Sequence, residues 1–514
     1  MTKHRRLARR STLRRSVAGV SAAALLSFGL AACGGDDASS PGGGGASGEL
    51  RVLLNAQPAT LDPIVGARSA QVVWSTVIEP LIATDENLDP TDTGLITAWE
   101  RTDDTTWTLT LREGVTFSNG EPADAAAVVK TLELTRDTDT SILKSYWANA
   151  TSFEAPDATT VVIKTSTPQY TVPNQLTTVY LVPPAYYEEQ GSEGFAAAPI
   201  GTGPYVFEGQ NAGRDMTVVA NEDYWGEKPA NDEIVFSWST EPSQRLALLR
   251  SGSVDVALDL PPTQQDEAED AGLTVVAEES AIKIIGFLQT DKAPFDDPDV
   301  AKAAALAVDR DQIVSGIFDG KAVADGGLLD VKPGEQPTEA VSPDPDAARD
   351  LLDGASPEVP ITYPAGQYTN IEEVAQAVGG MLEAVGFKVT YNPLDYGSLV
   401  GQVVGRELNG LYLFAGVPNV AVPDFFASGF LKTASITGNC PDPAIDAQVA
   451  EALEQPDAEA SQPIYDALNT TAVVEKNCYI PLYRQVYAYA TADDVSGVVY
   501  SPLNAWNFSQ ATKG

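Results

Sequence analysis

Histidine is almost missing from this 514-residue chain: the one example is His4, so everything beyond it works without imidazole. That removes Ser-His-Asp and Cys-His nucleophilic arrangements and every His-ligated metal site from the body of the chain. Cations are scarce as well. Seven of the 32 Lys and Arg lie in the first 32 positions, which hold no acid, so the remainder sets 25 cations against 71 Asp and Glu, a formal charge of −46. Phosphate contact needs a basic surface, so nucleic-acid partners are not expected. The excess acid reads as a solvated surface, screened beyond about 8 Å at physiological ionic strength. Carboxylate-only chemistry of the glycosidase kind survives these tests, although among 71 acids no functional pair stands out.

Long apolar runs are missing too. The stretch 17–32 is shorter than the roughly 20 residues that cross a bilayer and is interrupted by Gly19, Ser21, Ser27 and Gly29. It follows the seven cations Lys3, Arg5, Arg6, Arg9, Arg10, Arg14 and Arg15, which makes the two segments the n-region and h-region of a cleavable export signal. The stretch closes on Leu30-Ala31-Ala32-Cys33, which resembles a bacterial lipobox, in which the Cys thiol is acylated and becomes the new first residue. An ordinary secretory signal with an incidental Cys is the alternative, and the paired arginines leave twin-arginine export open. Residues 34–45, rich in Gly with Ser39, Ser40 and Pro41, have nothing to bury and read as a flexible tether. The expected division is a signal peptide at 1–32 and a lipidated linker at 33–48.

Only three cysteines occur. With Cys33 acylated, Cys440 and Cys478 remain in an oxidising compartment, where an even pair favours a disulfide over two buried thiols.

What is present is a regular mixture of helix and strand signals over about 465 residues, enough for two or three domains. In 106–111, Trp107, Leu109 and Leu111 alternate with threonines, a strand with one wet side. Asn119-Gly120 marks a turn, and 124–134 reads as a helix with Asp124 at its N-cap. Further helices are expected at 299–307, 309–318 and 371–385, the last stopped by Gly386 and followed by an alternating strand at 387–391. This order implies α/β lobes.

Several stretches, in sequence, carry a resemblance: Leu61-Asp62-Pro63, Glu79-Pro80-Leu81, Leu95-Ile96-Thr97-Ala98-Trp99-Glu100, and the block from Trp107 through Leu111-Arg112-Glu113-Gly114-Val115 to Gly120-Glu121-Pro122. Ile200-Gly201-Thr202-Gly203-Pro204-Tyr205, Tyr224-Trp225-Gly226, Ser251-Gly252-Ser253-Val254-Asp255, Pro294-Phe295-Asp296-Asp297, Ala307-Val308-Asp309-Arg310 and Ile480-Pro481-Leu482-Tyr483 follow. Together they resemble the extracellular solute-binding proteins of family 5, the peptide, nickel and opine receptors of ABC importers. Ser118-Asn119 departs from the His-Asp pair common in the family. Gly201 and Gly203 suit a tight turn near a lobe junction, and Trp99, Trp107 and Trp225 are read as core.

The resemblance implies an α/β, bilobal periplasmic-binding-protein-like fold (class II) with an extra subdomain in lobe I. Lobe I is expected at 49–285 plus 488–514, with the subdomain at about 85–195, and lobe II at 286–487. Peptide-binding members hold the ligand's amino group with an aspartate in a lobe II loop. Here Asn419 takes that position, and a neutral amide does not pair with an ammonium as a carboxylate does. Arg68, with Ser69 beside it, lies in a loop that approaches the ligand in relatives, and either holds a ligand carboxylate or makes a surface ion pair. Tyr146, Trp147 and Trp506 are expected apolar walls of the cleft, and Asp424 a helix N-cap. No enzyme activity and no cofactor is expected, and bare nickel is disfavoured without His. The expected partners are a peptide or other small organic solute, ABC permease subunits, and the membrane through a lipid anchor. The chain is expected to be a monomer on the outer face of the cytoplasmic membrane. A sensory receptor on the same fold stays open beside import, with a secreted glycosidase or an adhesion scaffold as alternatives of another class.

Overall fold

The computed structural model describes residues 48–66, 70–334, 341–503 and 505–514. The export signal, the tether and Cys33 lie outside them.

The alternation at Thr106–Leu111 produces a strand with Trp107, Leu109 and Leu111 buried. It is the second strand of an antiparallel four-stranded sheet in the order Ile96–Asp103, Thr106–Leu111, Thr160–Thr165, Ala150–Glu154. Helix Ala125–Asp137 covers this sheet. The Asp124 carboxylate accepts from the Ala127 N–H at 3.0 Å, satisfying one of the amides a helix start leaves without a partner. Val128 and Leu132 of the helix join Leu81, Phe117, Phe153 and Trp147 in a core of their own.

The main sheet has eleven strands. In one half, Glu49–Leu54 runs parallel to Glu233–Trp238 and Val256–Ala257, and Asp215–Ala220 and Tyr205–Asn211 continue it antiparallel. In the other, Glu358–Pro364 lies parallel to both Lys388–Leu394 and Leu411–Gly416. All six residues of Leu411–Gly416 are buried, the expected state of a strand with both faces covered. One face carries Ala301, Ala304, Val374 and Leu382 from the helices Pro298–Ala307 and Ile371–Val385. The other carries Phe430, Val449 and Tyr465.

Two long antiparallel strands, Thr274–Leu288 and Tyr479–Thr491, run through both halves. Thr491 reaches the edge of Val256–Ala257, and Lys283–Leu288 pairs with Leu411–Gly416. Between these ends the ladder loses register from Glu279 to Lys283, and Ser280 Oγ donates to the Gln485 carbonyl at 2.8 Å. A bulge of this kind bends a strand locally. Each half therefore has its own core, and the backbone passes between them along these two strands.

Helices Pro298–Ala307 and Arg310–Ile317 begin at Asp297 and Asp309, whose carboxylates accept from backbone amides of the first turn. Helix Ile371–Val385 ends at Gly386 with φ 124, a conformation a side chain would disfavour. Cys440 and Cys478 are bonded, with Cα atoms 5.7 Å apart. The bond ties the entry to helix Pro443–Glu454 to the start of Tyr479–Thr491.

Candidate functional site

Blocks far apart in sequence converge on Glu79. Its Oε2 accepts from Thr202 Oγ1 at 2.7 Å and Trp225 Nε1 at 2.8 Å, and its Oε1 from the Tyr224 hydroxyl at 2.8 Å. The Arg112 guanidinium lies over the Trp225 ring, 4.6 Å from its centroid. Burial pushes the Glu79 carboxyl above its ordinary range, opposed by the three donors and by Arg112. With both oxygens engaged, Glu79 is a strut. Gly201 and Gly203 belong to the same knot and are not free turn residues. A Cβ on either would sit 2.1 or 2.7 Å from the Val77 carbonyl, to which the Gly203 N–H donates at 2.9 Å. Glycine is needed there for close backbone approach, and the contact fixes the end of helix Gln71–Val77.

That helix borders a large cavity, about 700 Å³. Gln71 and Ser75 come from the helix, Leu88 and Glu86 from the hairpin 83–91, and Tyr500 and Trp506 from the C-terminal segment. A second chamber of about 10 Å³ shares Gln71, Thr178 and Tyr180 with it and is walled on the far side by Asn419, with Trp74 and Leu143. Asn419 follows strand Leu411–Gly416, so a loop of one half closes against residues of the other. Beside it, Leu88, Ala281, Ala421 and Leu503 form a small buried apolar cluster that draws on both halves and on the hairpin.

Several polar groups of this wall are buried. Gln71 Nε2 donates to the Tyr180 hydroxyl at 2.6 Å. Trp74 Nε1 and Ser75 Oγ are buried with no hydrogen-bond partner among the described residues, a costly state for a dry protein. Burial pushes the Tyr205 phenol up to about 12, which keeps it a donor at neutral pH. A concave surface that mixes apolar rings with convergent polar groups suits a small polar solute.

A third cavity, about 290 Å³, lies directly between the halves. Asn55 and Asp259 line it just past the ends of Glu49–Leu54 and Val256–Ala257, and Gln367 and Val417 just past Glu358–Pro364 and Leu411–Gly416. All four stand at carboxyl ends of strands, where open α/β sheets bind their ligands. Asn55 Nδ2 donates to Asp259 Oδ2 at 2.7 Å.

Of the residues expected at the cleft, Trp506 lines the large cavity and Asn419 the small chamber. Trp147 does not line any of the three: it is 1% exposed and packs edge-on against Phe153 in the subdomain core. Tyr146 packs against the same core, and Leu143 reaches the chamber in their place. Arg68 and Ser69 lie outside the described residues. Asp424 is not the N-cap. Pro423 holds that position, already in helical φ/ψ, and Asp424 is buried, accepting from Ser428 Oγ at 2.6 Å. Gln71, Trp74 and Tyr180 were not singled out from the sequence; Gln71 at the head of the apolar helix Gln71–Val77 was the one available sign.

Two α/β lobes joined by a pair of strands, with a cavity of about 290 Å³ where they meet, define a bilobal binding protein of the periplasmic-binding-protein fold. The chain belongs to the bacterial extracellular solute-binding proteins, family 5, whose middle part matches residues 78–438. It is 27% identical over 497 residues to the glutathione-binding protein GsiB of Salmonella paratyphi A, covering 91% of this chain and 94% of that protein. Among solved structures it is similar to the ABC transporter substrate-binding protein CtaP of Listeria monocytogenes, with a TM-score of 0.81 at 19% identity over 91% of this chain and 99% of that one. The dipeptide-binding protein of a Pseudoalteromonas species, solved with Met-Leu, gives a TM-score of 0.76 at 19% identity over 91% and 100% of the two chains. Among the described residues no helix is long and apolar enough to cross a membrane.

Proposed function

We propose that the protein is a lipid-anchored receptor of an ABC importer, which captures a peptide or other small organic solute between its lobes and delivers it to a membrane permease. Cys33 is the acylated residue, and 33–48 the tether. Lobe I comprises 49–285 and 488–514, with its inserted subdomain at about 85–195, and lobe II comprises 286–487. The observation that carries this reading is the lobe II loop bearing Asn419, which closes over Gln71, Trp74 and Tyr180 of lobe I. A solute held by both sides stabilises the closed arrangement through its differential contacts, so binding energy drives closure and no bond is broken. The relatives' printed ligands, glutathione and Met-Leu, favour short peptides. In this reading, on the family resemblance, Arg68 and Ser69 meet a ligand carboxylate, and Trp506, which lines the large cavity, packs on its apolar part. With Asn419 in the family's acidic position, a ligand amine there meets an amide dipole instead of a countercharge.

Titration calorimetry of the full chain with glutathione, Met-Leu and a set of other di- and tripeptides tests this. At least one solute binds, and Asn419→Ala and Trp506→Ala each weaken it about tenfold, about 1.4 kcal/mol. Absence of binding across such a set, or equal binding by both variants, overturns the reading.

A further inference from the structure

One aromatic ring crosses from the four-stranded unit into the opposite lobe. Tyr170 lies between strand Thr160–Thr165 and helix Val172–Leu176, in the unit whose core holds Trp107, Phe153 and Leu132. Its side chain is not part of that core. It is 5% exposed and buried in the lobe II cluster with Phe426, Phe430 and Tyr465. Burial pushes its phenol up, with the Ser461 and Tyr465 hydroxyls beside it and the Asp424 carboxyl nearby. Tyr170 Oη has no hydrogen-bond partner among the described residues, so what lobe II receives is the ring.

The residues on either side of Tyr170 stay with their own unit. Trp107 Nε1 donates to the Gln169 carbonyl at 3.1 Å, Asn149 Nδ2 to Gln169 Oε1 at 2.6 Å, and Gln175 Nε2 to Thr171 Oγ1 at 3.3 Å. Gln169 and Thr171 are both buried. A loop braced on both flanks presents its ring with little further loss of conformational entropy.

A charged contact runs in the same direction. Arg101, on strand Ile96–Asp103, donates from Nη1 to the Gln455 carbonyl at 3.1 Å and from Nη2 to the Asp104 carbonyl at 2.9 Å. Gln455 is the C-cap of helix Pro443–Glu454, an end whose free carbonyls favour a cation. The surface that receives Tyr170 also leads to the solute side, because the loop carrying Asn419 runs from strand Leu411–Gly416 into the short helix Asp424–Phe426.

We infer that Tyr170 is a positioning residue for solute capture: on closure its ring docks in lobe II, steadies the loop that bears Asn419 and holds the lobes together without touching the solute. This rests on the receptor reading above and adds a closing contact to it. Opening withdraws the ring into water, so its burial favours the closed arrangement whatever the solute. The contact forms once the solute is inside, so it slows escape more than entry.

The test compares the full chain with Tyr170→Ala, Tyr170→Phe and Arg101→Met. Small-angle scattering is recorded alone and with Met-Leu or glutathione, and stopped-flow binding of the same two peptides gives the rates. Tyr170→Ala raises the dissociation rate about tenfold and changes the association rate by less than about twofold. Its radius of gyration exceeds the parent's at unchanged circular dichroism, which a loss of packing alone would not produce. Tyr170→Phe restores the parent's values, and Arg101→Met raises the dissociation rate by about threefold. An equal radius for parent and Tyr170→Ala under all conditions overturns the inference, and so does an equal dissociation rate, each leaving the receptor reading in place. Binding of neither peptide by the parent counts against the receptor reading, and scattering alone then upholds or overturns the contact.

Discussion

Lys283 and Arg484 face each other across the two long strands at the crossing between the lobes, and a single carboxylate oxygen holds both. Asp325 Oδ2 is 2.9 Å from Lys283 Nζ and 3.0 Å from Arg484 Nη2. All three residues are essentially buried. Glu279 supplies a second acid, 2.9 Å from Arg484 Nη1, and burial holds the Lys283 ammonium below its ordinary pKa. Arg484 also donates to the Lys332 carbonyl at 2.6 Å, and Lys332 Nζ is 2.5 Å from Asp89 on the inserted hairpin. The charges at the crossing are thus continuous with a contact from lobe II to lobe I.

Removing the shared acid leaves two cations short of a partner in a dry place. Asp325→Ala is expected to lose about 3–5 kcal/mol, the usual cost of breaking a buried ion pair. Denaturant unfolding followed by circular dichroism measures it, and a loss below about 1 kcal/mol would show that Glu279 and the surrounding carbonyls suffice.

The lobe-bridging ion pairs behave differently, because they are wet. Lys332–Asp89 and Lys321–Asp266 both close at 2.5 Å, with the two aspartates more than half exposed. Exposed pairs contribute about 0–1 kcal/mol. Lys332→Ala and Lys321→Ala should therefore leave the melting temperature nearly unchanged. Since they act across the cleft, they should weaken solute binding by up to about fivefold at low salt and not at all in 0.5 M salt.

Asp255 sets the acid limit of lobe I. It receives Arg51 Nη2 at 2.6 Å and Lys513 Nζ at 2.7 Å, fastening the first strand to the C-terminus. Burial alone pushes its carboxyl up, but the hydrogen bonds from Arg51 and Lys513 outweigh it and hold the carboxyl below the ordinary 3.8. A depressed carboxylate stabilises the fold above its unfolded pKa, and that stability is lost as pH falls through the lower folded value. Asp255→Asn should cost about 1–3 kcal/mol at pH 7. The gap to the parent should close as pH drops below about 4. Melting curves from pH 7 to pH 3 check both, and a gap that persists in acid would mean the loss is one of packing.

The Cys440–Cys478 bond closes a loop with a sequence separation of 38 residues. Replacing both by Ser is expected to lower lobe II stability by about 2–4 kcal/mol. Solute binding should survive at temperatures well below the lowered midpoint, because neither sulfur lines a cavity described above. A variant as stable as the parent would mean that packing alone holds this end of the lobe.

Local signals were legible where a short-range cause determines structure. The alternation of Thr106–Leu111, the Asp124 cap and the stop at Gly386 all appear where periodicity and capping chemistry put them. Asp424 was misread because the chain is already helical at Pro423, so no amide of the first turn waits for a side-chain cap. Trp147 was assigned to the cleft, yet a small four-stranded sheet needs a large ring to close its own core, and composition does not tell these uses apart. The knot around Glu79 was visible as separate blocks; that Thr202, Tyr224 and Trp225 share one carboxylate is a tertiary fact. Helix Gln71–Val77 is too short and too uniformly apolar for its pattern to say which residues meet the cavity.

The central claim is capture without transformation, and the most direct measurement follows one solute through both. Full-length protein is melted with each member of the peptide series, and the solute is then recovered from the complex and weighed by mass spectrometry. At least one peptide should raise the midpoint, by an amount that grows with the logarithm of its concentration, and should be recovered at its original mass. A series that shifts nothing, or a stabilising peptide recovered cleaved, would contradict the claim.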